Sequence, residues 1–206
     1  MNKLASFISY LFHPLFVPLY LGFLILNSQY IFMYGSDLLI LKLLVKLSIY
    51  FAPAIGFTAI YMFLLKQFGI INSLKMPTRQ ERKIPLLFIF LLFGYVGYEI
   101  LVNGYEHKSF ALIFLIASFC MFFALIISLR FKISLHSIGM AAATGYIYML
   151  IPCAKFNLMP VFIVSLILTG IVGSARLVLS SHSPIQVYMG FLLGWNVSIF
   201  TFLLLY

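Results

Sequence analysis

The chain has 206 residues, of which 64% are hydrophobic, 18% aromatic and only 8% charged, with a net charge of +9 and a mean hydropathy of +1.14. That composition excludes a soluble globule and reads as an integral membrane protein. The positive balance does not point to nucleic acid, because the basic residues sit at segment ends and in short loops rather than in a stripe interleaved with aromatics. They suit anionic lipid headgroups or a phosphate.

A membrane span needs roughly 20 mostly apolar residues. Phe7 to Leu26 is the first such stretch. It carries His13, Pro14 and Pro18, so it either spans with a kink or dips in and returns. No cleavable signal peptide is evident, since one lysine precedes a long apolar run with no small-residue cleavage site before Asn27. The uncharged runs Leu47 to Leu65, Pro85 to Tyr98, Ser109 to Leu129, Ile133 to Ala154, Phe156 to Ala175 and Leu177 to Tyr206 supply the other segments. The expected fold is all-α, a polytopic bundle of six to seven transmembrane helices, with residues 1–206 forming one domain. Cys120 and Cys153 fall inside predicted spans without a CxxC partner and read as small hydrophobes.

Three polar islands interrupt these runs: Lys75 to Arg82, Ser134 to His136, and Arg176 to Gln186. Alternate crossings place all three at one membrane face, where Arg79, Lys83, Arg130 and Lys132 join them. Ionisable groups persist in a membrane mainly where they have a function. A basic cluster alone is also a topology signal, but two histidines at the same face, His136 and His182, favour phosphate chemistry. In the third island Ser183 is a helix N-cap, Pro184 the first helical residue and Gln186 the partner three residues beyond the cap. His182 is thereby held just ahead of a helix N-terminus, where backbone N–H groups favour an anion. Gly190 and Gly194, four residues apart, suit close helix packing. Glu81 is either a surface ion-pair partner of Arg79 or Lys83 or a carboxylate acting at the site. His13 and His107 have no motif around them and read as an interfacial and a loop histidine.

These islands resemble the three motifs of the type 2 phosphatidic acid phosphatase and vanadium haloperoxidase superfamily, K-x6-R-P, P-S-G-H and S-R-x5-H-x3-D. Lys75-x6-Arg82 is similar to the first, with Lys83 in place of proline. Ser134-Leu135-His136 is similar to the second. Arg176-x5-His182-x3-Gln186 is similar to the third, with Gln for Asp, and Val187, Gly190 and Gly194 continue the likeness, which spans residues 75–194. The resemblance implies a metal-independent, cofactor-free hydrolase acting on a membrane lipid that carries a phosphate or pyrophosphate. His182 would attack phosphorus, His136 would protonate the leaving oxygen, and Lys75, Arg82, Ser134 and Arg176 would cradle the phosphate, while Gln186 would stand behind His182. Loss of the equivalent charge in a Ser-His-Asp triad costs about 10⁴ in rate, so a weak or inactive lipid-phosphate binder or transporter on the same scaffold is the alternative.

Lys and Arg are more numerous on the site face, which taken alone makes that face cytoplasmic. Without the proposed phosphate ligands the excess is slight, and the resemblance favours an extracytoplasmic face of a bacterial inner (cytoplasmic) membrane. The sequence does not select the lipid or fix an oligomeric state.

Overall fold

The computed structural model describes residues 2–30, 37–74, 76, 78–103, 108–154 and 157–206, and among these every regular element is helical. The helices are α1 (Asn2–Leu11), α2 (Val17–Tyr30), α3 (Asp37–Gln67), α4 (Lys83–Asn103), α5 (Lys108–Ser128), α6 (Leu135–Leu150), α7 (Met159–Val178) and α8 (Pro184–Leu205). A tight 3₁₀ turn, Gln80–Arg82, leads into α4, and another, Ile151–Cys153, ends α6. Helices suit such apolar segments because lipid offers no partner for backbone N–H and C=O groups, which must then bond within the segment.

Among the described residues, five stretches are long and apolar enough to cross a membrane: Ser48–Gln67, Gln80–Asn103, Lys108–Ser128, Met159–Val178 and Pro184–Leu205. Two of the expected segments are shorter as helices. The first divides into α1 and α2, of 10 and 14 residues. Pro14 lacks an N–H and disfavours helical backbone at His13, so the chain turns there, with the Phe16 N–H donating to the His13 carbonyl at 2.9 Å. The segment from Ile133 to Ala154 yields α6, 16 residues long, extended by its 3₁₀ turn.

The centre of the bundle is α6. Small residues line it, and from Met140 to Ile147 every position is buried. On α8 the residues Val187, Gly190, Gly194, Val197, Ser198 and Thr201 recur at three- and four-residue intervals and are buried, giving the inward stripe of a helix packed at close range. The two helices are in direct contact along their length. A Cβ on Gly190 would lie 2.8 Å from the Ser134 carbonyl oxygen, and one on Gly194 would overlap the Ile138 carbonyl and approach the Ala142 nitrogen to 2.9 Å. Both obstacles are backbone, so neither can swing aside. Close glycine packing therefore locks the start of α6 against the start of α8, and with it the second polar island against the third.

This packing separates two glycines that a composition argument treats alike. Gly194→Ala should lower the thermal midpoint in detergent by an amount corresponding to roughly 1–3 kcal/mol, the ordinary cost of overpacking. Gly170→Ala, with nothing within 4 Å of the added carbon, should be neutral or slightly stabilising. Equal midpoints for the two variants would contradict the packing described.

Candidate functional site

The α7–α8 connection sets the central histidine. Helix α7 ends in a Schellman arrangement, in which the Ser180 N–H donates to the Leu177 carbonyl at 2.9 Å and the Ser181 N–H to the Arg176 carbonyl at 3.2 Å. This arrangement requires a left-handed residue, and Ser180 supplies it at φ 49°, although glycine is the usual occupant. The turn delivers His182, 8% exposed, immediately before Ser183 and Pro184 open α8.

Gln186 then decides which histidine nitrogen is available. Its Oε1 lies 3.3 Å from the Ser183 backbone N–H and 2.9 Å from His182 Nδ1. The backbone donor identifies the oxygen side of the amide, so Nδ1 must be the donor of the second bond. His182 is thus held as the tautomer with its proton on Nδ1 and a lone pair on Nε2. A nucleophilic imidazole needs that tautomer, and a neutral amide is enough to set it.

Around His182 the islands are joined through backbone carbonyls. Arg82 is 4% exposed; its Nε donates to the Met76 carbonyl at 3.1 Å and its Nη1 to the Ile133 carbonyl at 2.8 Å. Arg79 donates to the Arg130 carbonyl. Lys132 reaches the Ser181 carbonyl at 3.5 Å, and the Ser134 N–H donates to the Gln186 carbonyl at 3.3 Å. Ser134 itself is fully buried as the N-cap of α6, its Oγ accepting from the Ser137 N–H and hydroxyl at 3.4 and 2.9 Å. Arg176 donates from Nη1 to Ser9 Oγ at 3.2 Å, while its buried Nε has no partner among the described residues.

His136 is held differently from His182. Its Nε2 faces the Ser9 carbonyl oxygen at 3.0 Å and must donate to it, which leaves the lone pair of the neutral ring on Nδ1. The ring of His13 meets His136 edge-on, with centroids 5.4 Å apart.

The structure therefore brings together Arg82, Ser134, His136, Arg176, His182 and Gln186. Lys75 lies outside the described residues, as does His107. Two contributors had no sequence signal: Ser9 is one serine among many, and His13, read as an interfacial histidine, packs against His136. Glu81 corrects an expectation. It is 9% exposed and forms neither of the expected surface ion pairs; Asn72 Nδ2 and Thr78 Oγ1 each donate to its Oε1 at 3.0 Å, and Oε2 has no partner among the described residues. It organises the loop ahead of Arg82, while the position behind His182 belongs to Gln186.

The electrostatics have one sign. Burial holds the His182 imidazole down to about 4; the Gln186 hydrogen bond acts in the opposite direction, and Arg82, Arg176 and Lys132 add to the depression. Burial, then Arg82 and Arg176, likewise lowers the Lys132 ammonium. Such a group of cations, with Arg82 buried, Arg176 and Lys132 partly so and a neutral imidazole among them, is suited to an anion. Compared with models of known families, with curated proteins and with solved structures, the chain matches none.

The depressed imidazole has a signed consequence. An unfolded histidine takes its proton near 6.5, whereas His182 does so near 4, so its contribution to stability is complete above about 6.5 and is lost as pH falls through about 4. Ring ¹⁵N shifts of His182 should stay those of a neutral, Nδ1-protonated ring down to pH 5. Protonation with a midpoint near 6.5 would contradict the arrangement.

Proposed function

We propose that this chain is a membrane phosphatase that hydrolyses a lipid phosphate or pyrophosphate through a phosphohistidine, as a divergent member of the superfamily its motifs resemble. The observation that carries the reading is the His182–Gln186–Ser183 arrangement, which leaves the lone pair on Nε2 of a neutral imidazole whose charge state Arg82, Arg176 and Lys132 all influence. In the first step the Nε2 lone pair attacks phosphorus and the P–O bond to the lipid breaks. The leaving oxygen takes a proton from Nδ1 of His136 in its imidazolium form, the donor the motif resemblance assigns. Water then attacks the phosphohistidine, returns a proton to Nδ1 of His136, releases inorganic phosphate and restores the His182 imidazole. Arg82, Arg176 and Lys132 stabilise the charge on the equatorial oxygens in both steps, the electrostatic role that dominates phosphoryl transfer. Lys75 completes this set in the proposed reaction.

In this reading α6 with its 3₁₀ extension crosses beside the five longer helices, giving six spans, and the divided first segment dips in beside them. The site lies at the extracytoplasmic face of a bacterial inner membrane. Exposed Leu129, Leu177, Ile185 and Tyr188 near the site-bearing helix ends support entry of an amphiphile from the bilayer side.

Two observations favour a second reading, a slow or inactive lipid-phosphate binder. The Nε2 proton of His136 is committed to the Ser9 carbonyl, and Gln186 brings no negative charge to support an imidazolium. Release of inorganic phosphate by the purified protein from phosphatidic acid, phosphatidylglycerol phosphate and polyprenyl pyrophosphate separates the two. The phosphatase reading predicts release that orthovanadate inhibits, that chelators do not affect, and that His182→Ala abolishes. Gln186→Glu keeps the length and both hydrogen bonds while adding the charge, and should raise the rate of phosphohistidine formation at least tenfold. Vanadate binding without any phosphate release, unchanged in Gln186→Glu, would establish the binder instead.

A further inference from the structure

The two hydrogen bonds made by Ser9 join groups that the motifs treat as independent. Its hydroxyl accepts from Arg176 Nη1 at 3.2 Å and its carbonyl accepts from His136 Nε2 at 3.0 Å. Ser9 is 7% exposed, so neither bond competes with much water. The helix that carries it is built for close docking on its inner side: Ala5 and Ser9, one turn apart, are buried, whereas Leu4, Phe7 and Tyr10 are 67%, 62% and 64% exposed. Small residues inward and large apolar residues outward reverse the pattern of a helix on a water-soluble protein. They let α1 lie against α7 with its backbone near enough for a carbonyl to reach His136.

We infer that Ser9, from a helix outside the motif-bearing region, is a positioning residue of the anion site. By occupying Nη1 it fixes the plane of the Arg176 guanidinium, and the buried Nε, without a partner among the described residues, leaves the Nε edge free to take a ligand. A guanidinium grips a phosphate best through two parallel N–H donors along one edge, so fixing the plane sets which edge is offered. Through its carbonyl the same residue holds His136 by Nε2 and leaves Nδ1 as the nitrogen able to exchange a proton with a ligand. The inference rests on the anion-site reading given above and adds α1 to the elements that build it.

Orthovanadate affinity of the purified full chain in detergent tests this. Ser9→Ala removes the hydroxyl and keeps the carbonyl, so it should weaken vanadate binding about tenfold, the scale of one hydrogen bond to a charged group, in a variant that stays folded with at most a small fall in the ligand-free thermal midpoint. Ser9→Thr should restore affinity to within about twofold of wild type. In an Arg176→Lys background, where Nη1 does not exist, Ser9→Ala should cause no further loss. Wild-type affinity in Ser9→Ala, or the same tenfold loss in the Arg176→Lys background, would overturn the positioning role while leaving the anion site intact. Failure of the wild-type chain to bind vanadate at all would overturn the anion-site reading and this inference with it.

Discussion

Like charge held together partly out of water is the constraint on which the site depends. Arg82, Lys132 and Arg176 all act on His182, and Arg82 and Arg176 both act on Lys132. Ordinarily such a group separates or recruits carboxylates. Here the chain compensates with neutral acceptors: Met76, Ile133 and Ser181 carbonyls for Arg82 and Lys132, and the Ser9 hydroxyl for Arg176. Carbonyl dipoles hold the cations in place without cancelling their charge, which stays available to a ligand. A carboxylate at the same positions would hold them as firmly and neutralise them.

The rest of the bundle keeps these acceptors in place. The Ile133 carbonyl precedes the N-cap of α6, and the Ser181 carbonyl belongs to the turn that ends α7, so both depend on where helices stop and start. Those ends are set in turn by Ser134 and Ser183 as caps, by the left-handed Ser180, and by the close α6–α8 contact at Gly190 and Gly194. Strain at Ser180 and overcrowding-prone glycines are located where the backbone must be placed to within a fraction of an ångström. Farther from the site, toward the far ends of α4 and α5, packing relies on interchangeable aromatic and aliphatic contacts such as Phe93 on Phe114.

Much of this was legible in the sequence. The all-helical class follows from apolar run lengths. The start of α8 follows from Ser183, Pro184 and Gln186, and the polar islands share one end of the bundle because adjacent helices alternate in direction. What escaped was contact between distant, chemically ordinary residues. Ser9 lies 127 residues from His136 and 167 from Arg176, and no spacing rule links a lone serine to either. Glu81 escaped for another reason: charge pattern suggested neighbouring cations, whereas the loop folds so that Asn72 and Thr78 reach it first. Helix ends were also hidden from hydropathy, since a run of apolar residues does not reveal that Pro14 divides it or that α6 ends in a tighter turn.

The central claim is that Nε2 of His182 is the atom the site presents to phosphorus. A structure of the purified protein with orthovanadate tests it most directly, because vanadate adopts the trigonal bipyramid of the phosphoryl-transfer transition state. The account predicts vanadium bonded to His182 Nε2, with Gln186 still accepting from Nδ1 and the equatorial oxygens within hydrogen-bonding distance of Arg82, Lys132 and the Nε edge of Arg176. Vanadium bonded to His136 or His13, or held at a distance from every histidine, would contradict it.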